Sequence, residues 1–271
     1  MLLSEELSAK TSKLLADSFE KNTSVHKEEI NLEIFGQTNI GLVRATNQDS
    51  FRIGKFPGGS AWAVVCDGMG GASGGDVASK MAADLIAERI EKNYHDDMKQ
   101  LSVSNLLESA INFANIKIYD LAREDLTLKG MGTTVVAAII RENEVFISHA
   151  GDSRAYIIGE DIKQVTKDHS LVQEMLDRGE ITEEEAKNHP VKSYITRALG
   201  VSDRINVDFT AESFEKNDII LLCTDGFSNS VEEDNFKKLF ENASDEAVEK
   251  LIDEANANGG RDNITVVLAS Y

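Results

Sequence analysis

The sequence predicts an α+β fold in which a sandwich of antiparallel sheets carries helices on its outer faces. Three observations lead there. Apolar, strand-like segments are joined by polar turns too short for a parallel crossover, which needs about a dozen residues. Helical patterns come in blocks between runs of strands, rather than alternating with them one for one. Only two prolines, Pro57 and Pro190, occur in 271 residues, and no repeat or low-complexity tract divides the chain, so one core is expected.

The elements follow in order. Leu3, Leu7, Leu14, Leu15 and Phe19 form a ragged helical stripe without Gly or Pro, which predicts a helical extension of unknown role over residues 1–32. The main domain is expected over 33–271. Its first strands are EIFGQT, GLVRA, SFRIG and AWAVVC. Two long helical patterns follow, at 74–93 and 104–124. The strands GTTVVAAII and EVFISHA are separated by Arg141-Glu142-Asn143, and Gly159-Glu160-Asp161 follows RAYII, so both turns read as hairpins. Two short helices are expected within 170–188. INVDFT and DIILLC are strands, residues 232–240 and 244–257 are helical, and NITVVLAS is the last strand.

Composition excludes some functions. The formal net charge is −19, and so acidic a surface repels phosphate backbones, which argues against nucleic-acid binding. Acidity by itself denotes a solvated surface; only the positions of the acids can say more. Cys66 and Cys223 lie in the apolar runs AWAVVC and DIILLC and read as buried core thiols, not as a disulfide. MLLSEELSAK has neither the basic region nor the apolar region of a signal peptide, and VVAAII and IILL are too short to span a bilayer. The expectation is a cytoplasmic protein without membrane association.

The chemistry-bearing residues sit where strands end. Asp67 follows AWAVVC, Asp152 follows VFISHA, Asp225 follows IILLCT, Asp262 precedes the final strand, and Asp49 follows GLVRATNQ. A lone loop aspartate ordinarily caps a turn. Five at the ends of strands in one sandwich would converge, and converging carboxylates repel unless cations neutralise them. Ligands of this kind are all oxygen, which suits Mg²⁺ or Mn²⁺ rather than zinc. The histidines, at 26, 95, 149, 169 and 189, are scattered without zinc-site spacing, and His149 reads as a satisfied core residue. Gly68, Gly70 and Gly71 after Asp67 would let a backbone carbonyl approach a cation. They are not a dinucleotide fingerprint, since Ser73 stands where the third glycine should fall. No GxxxxGK[ST] loop occurs either, which disfavours a kinase or ATPase.

GLVRATNQDSF, VVCDGMGG, GMGTTVV, AGDSRAY, the stretch from TKDHS to NHP, ITRALG, LLCTDG and GGRDNITVV together resemble the ordered motif set of the metal-dependent type 2C (PPM) protein serine/threonine phosphatases, above all the bacterial branch. The resemblance runs from about residue 36 to the C-terminus. It implies a four-layer α-β-β-α sandwich with the metal channel at one edge, and hydrolysis of phosphoserine and phosphothreonine in proteins. Two core Mn²⁺ or Mg²⁺ ions are implied, with a third, weaker one in bacterial members. Asp67 is then expected to bridge the core ions, with the Gly68 carbonyl on the second and Asp225 and Asp262 on the first. Asp152, with Asp225, is expected at the third site. Asp49 is expected to hold water in the outer shell, and Arg44 to bind phosphate. Residues 167–193 match the flap beside the active site. The implied partners are phosphorylated proteins and a cognate Ser/Thr kinase acting on them, and the expected working form is a monomer.

The chain departs from the wider family at two positions. Met69 stands where eukaryotic members carry a histidine often assigned as general acid, and Gln48 where many have Glu. Two other readings compete. A non-catalytic phosphoprotein-binding relative would typically have lost Asp67, Asp225 or Asp262, and all three are present. A small-molecule phosphomonoesterase on the same fold is the second; the DxDxT and GDxHG signatures of other phosphatase classes are absent.

Overall fold

The computed structural model describes residues 32–70 and 74–271. Of the expected helical extension, residues 1–31 lie outside the described residues, as does Gly71, while Leu32 is buried in the core between the sheets. The strands are β1 (Glu33–Asn39), β2 (Asp49–Lys55), β3 (Ala61–Met69), β4 (Gly132–Thr133), β5 (Val135–Arg141), β6 (Asn143–Ala150), β7 (Arg154–Ile158), β8 (Ile162–Gln164), β9 (Asp208–Phe214), β10 (Ile219–Cys223) and β11 (Ile264–Ser270). The helices are α1 (Gly75–Asn93), α2 (Gln100–Glu124), α3 (Leu171–Asp177), α4 (Glu183–Lys187), α5 (Asp225–Ser228), α6 (Phe236–Leu239) and α7 (Asp245–Ala257).

The strands form two antiparallel sheets, ordered β1-β11-β10-β7-β8 and β2-β3-β5-β6-β9, with β4 beside β3. Side-chain alternation along a strand explains the layers. In β3, Ala61, Ala63 and Val65 face the other sheet, and with Ala138 and Ile147 of their own sheet they pack against Leu222 and Val267. Trp62, Val64 and Cys66 face the opposite way, onto α1 and α2 through Ala82, Ile86, Leu107 and Ile111. On the far sheet, Leu221, Cys223, Val266 and Leu268 pack against α7 through Val248, Leu251 and Ile252. A strand buried on both faces reads as a continuous apolar run, which is why AWAVVC and IILLC carry no polar alternation. Both cysteines are core residues, and burial raises both thiols far above their usual range. Among the described residues no helix is long and apolar enough to cross a membrane.

The structure differs from the sequence reading in four places. GLVRA is a turn segment, not a strand, because its polar backbone groups bond to the segment around Asp262. INVDFT joins the sheet only from Asp208. GTTVVAAII is not one strand but breaks at Thr134 into β4 and β5. Residues 232–240 split into a turn of 3₁₀ helix and the four-residue α6.

Candidate active site

The site is assembled from strand ends at one edge of the sandwich. Asp49 opens β2 and lies opposite Asp67 in the β2–β3 register. Two hydroxyls hold Asp49: Thr265 Oγ1 donates to its Oδ2 at 2.7 Å and Thr224 Oγ1 at 2.9 Å. Its Oδ1 is buried without a hydrogen-bond partner. Asp67 is fixed through its backbone. Its N–H donates to Thr134 Oγ1 at 2.9 Å, and its carbonyl accepts from Thr133 Oγ1 and from the Thr134 N–H. Gly68 is wedged between main chains. A Cβ there would overlap the Gly75 carbonyl oxygen at the start of α1 and come within 2.5 Å of the Gln48 oxygen.

Asn263 ties the Arg44 loop to the Asp262 segment. Its Nδ2 donates to the carbonyls of Ile40 at 2.9 Å and Thr46 at 3.0 Å, and its Oδ1 accepts from the Gln48 N–H at 2.8 Å. Arg44 is thereby set against the cluster, and its Nη2 donates to Asp262 Oδ2 at 2.6 Å. Asp262 and neighbouring Asp225 and Asp67 hold the guanidinium firmly charged.

The electrostatics are those of a crowded anionic site. Burial, then the Asp225 and Asp262 charges, push Asp49 up to about 7 against the pull of its two threonine hydroxyls. Burial and the Asp225 charge push Asp152 up to about 8. Asp67 is raised well above the usual carboxylate range by burial and by Asp49, Asp225, Asp152 and Asp262. Asp225 is raised by burial and Asp262. All-oxygen donors, a buried acceptor without a donor and buried carboxyls with raised proton affinity fit hard divalent cations, which would displace the protons those carboxyls retain.

All seven residues expected at the site, Arg44, Asp49, Asp67, Gly68, Asp152, Asp225 and Asp262, fall on this one edge. Thr133, Thr134, Thr224, Thr265 and Asn263 were not legible as site residues. In the sequence they read as β-formers and turn formers, and only their place inside otherwise apolar runs (LLCTD, NITVV) hints at a role. A second grouping, His149, His169 and Asp208, places three metal-ligating side chains within 4.8 Å. Its donors are committed. His149 Nε2 meets the Lys167 carbonyl at 2.9 Å, His169 Nδ1 accepts from the Gly151 N–H, and Arg197 Nη1 donates to Asp208 at 2.6 Å. A guanidinium on the carboxylate opposes a cation there, and His149 is the satisfied core residue expected.

Comparison with known proteins places these features. Residues 43–257 match protein phosphatase 2C. The chain is 38% identical over 235 residues to the serine/threonine phosphatase stp of Listeria innocua, covering 86% of this chain and 93% of that one. It is similar to the crystal structure of serine/threonine phosphatase Stp1 from Staphylococcus aureus, with a TM-score of 0.83, 35% identity and coverage of 89% and 95%. It is also similar to the catalytic domain of the serine/threonine phosphatase PstP solved with two manganese ions, with a TM-score of 0.77, 32% identity and coverage of 88% and 97%.

Proposed function

The chain belongs to the protein phosphatase 2C family, and from that premise we propose that Asp67, the Gly68 carbonyl, Asp225 and Asp262 hold its two core cations, Asp152 a third, and Arg44 the substrate phosphate. The enzyme is a metal-dependent protein serine/threonine phosphatase that acts on phosphorylated proteins and uses Mn²⁺ or Mg²⁺. The observation that carries the residue assignment is the convergence of Asp49, Asp67, Asp152 and Asp225 with raised proton affinities on a site where Asp49 Oδ1 has no donor.

When bound, the cations supply an acidified water as nucleophile and neutralise the phosphoryl charge. The chain's own groups do the rest. Thr224 and Thr265 hold Asp49 so that its second oxygen accepts a proton or hydrogen bond from attacking water. The Arg44 fork exchanges Asp262 for phosphate oxygens and stabilises charge as the ester bond breaks. Met69 cannot donate a proton, so water or another group of the site protonates the leaving alkoxide. Neither buried thiol takes part. The same reading makes residues 33–271 the catalytic domain and 1–32 an extension. It also makes the enzyme a cytoplasmic monomer opposing a serine/threonine kinase, because such kinases draw on the ATP of that compartment.

Arg44→Ala tests the division between phosphate and metal ligands. Loss of a charge-assisted fork, worth about 1.5–3 kcal/mol, is expected to raise KM for phosphopeptides roughly 10–100-fold while calorimetry still finds the core Mn²⁺ sites. Loss of Mn²⁺ binding in this variant would move Arg44 from phosphate binding to the support of Asp262.

A further inference from the structure

His169 lies outside the carboxylate cluster, and the mechanism above does not use it. Its side chain nevertheless reaches the backbone N–H of Gly151, the residue before Asp152. The Gly151 N–H donates to His169 Nδ1 at 3.1 Å, and the His169 N–H donates to the Gly151 carbonyl at 2.9 Å. The Gly151 residue is thus held at both of its polar backbone groups. It is also confined sterically, with φ of 117° and a Cβ position 2.6 Å from Thr134 atoms.

The ring is itself fixed. A backbone N–H can only donate, so Nδ1 is the acceptor and the neutral ring carries its proton on Nε2, an assignment made from the hydrogen-bond network. Nε2 then donates to Asp208 Oδ2 at 3.2 Å, and Arg197 Nη1, 3.0 Å from the same nitrogen, directs its N–H to the other Asp208 oxygen at 2.6 Å. His149 stacks on the ring with centroids 4.6 Å apart and planes 9° apart. His149 and Asp208 are cross-strand partners on β6 and β9, so the ring rests on the sheet. Burial and then His149 lower the proton affinity of His169, in keeping with a neutral ring. The preceding residue grips the other side of the same turn: Asp168 accepts from Arg154 Nε at 2.9 Å and Nη2 at 2.8 Å. Asp152 therefore stands between two clamps set by consecutive residues.

We infer that His169 is a positioning residue for Asp152, holding the Gly151 peptide through an unprotonated Nδ1 so that the carboxylate is aimed into the cluster. The inference rests on the reading of Asp152 as a metal ligand. A double-mutant cycle tests it, with Mn²⁺ bound per chain by equilibrium dialysis and turnover of an aryl phosphate as readouts. Removing a supporting partner of a ligand typically weakens metal affinity about 10–100-fold, so His169→Ala is expected to raise by about that factor the Mn²⁺ concentration that fills the weakest site. In an Asp152→Asn background the same change is expected to add less than about 2-fold, because the positioned group is already gone. His169→Asn, whose Oδ1 replaces Nδ1 as acceptor, is expected to restore most of the affinity; His169→Gln, which keeps a polar group only near the Nε2 position, is not. The Asn and Gln pair decides the matter even if the Ala variant fails to fold. Equal behaviour of Asn and Gln, or independent effects in the cycle, would overturn the role of His169. An Asp152→Asn variant with an unchanged Mn²⁺ count would instead overturn the ligand assignment beneath it, and the inference with it.

Discussion

Asp67→Asn is expected to lower kcat/KM by on the order of 10³-fold or more, equivalent to roughly 4 kcal/mol of transition-state stabilisation, and to eliminate the core Mn²⁺ sites. The substitution keeps the shape of the side chain and leaves its backbone bonds to Thr133 and Thr134 untouched. An amide fills the same space but offers no negative charge to a cation. The same variant has a signature that misfolding would not give. Asp67 is raised from its ordinary value of 3.8, first by burial and then by its neighbours. A raised carboxyl favours the metal-free fold at low pH, and that stability is lost as the pH rises above the unfolded value toward the folded one. Asparagine escapes this loss. Metal-free Asp67→Asn is therefore expected to melt above metal-free wild type at pH 8, with the gap closing near pH 4, while added Mn²⁺ stabilises only the wild type. Thermal melts with and without chelator across that pH range check the sign. A variant that melts lower than wild type in both conditions would mean that Asp67 is a fold residue and not a buried anion awaiting cations.

Gly68→Ala carries the second large effect. The new methyl would meet the Gly75 carbonyl oxygen and come within 2.5 Å of the Gln48 oxygen and the Gly75 carbonyl carbon. These are main-chain atoms on two sides, one at the start of α1 and one before β2, so neither can rotate aside as a side chain would. Overpacking of this kind costs about 1–3 kcal/mol, or roughly 2–10 °C in Tm for a domain of this size. The strand end must shift, and the Gly68 carbonyl shifts with it, so Mn²⁺ affinity is expected to fall together with Tm. A variant with wild-type Tm and metal affinity would show that this approach of backbones is slack, and would remove Gly68 from the ligand set.

The parts of this architecture carried by side-chain period are legible in the chain. AWAVVC alternates between two apolar environments and so contains no polar residue, and the Arg141–Asn143 turn is too short for anything but a hairpin. The aspartates could be placed because each ends such a run. What could not be read depends on groups that meet only in three dimensions. GLVRA has the composition of a strand, yet it turns because the Ile40 carbonyl bonds to Asn263 and the Leu42 N–H to Gly260, more than 200 residues away. Thr224 and Thr265 look like ordinary β-formers until their hydroxyls are seen on Asp49. His149, His169 and Asp208 are far apart in sequence and come together because β6 pairs with β9.

Hydrolysis of a phosphoserine peptide before chelation, in excess chelator and after titration with Mn²⁺ measures whether turnover depends on cations held at this carboxylate edge. Activity is expected to fall to background in chelator and to return as Mn²⁺ fills at least two sites per chain. Full turnover in excess chelator would mean that the reaction does not run through cations at this edge.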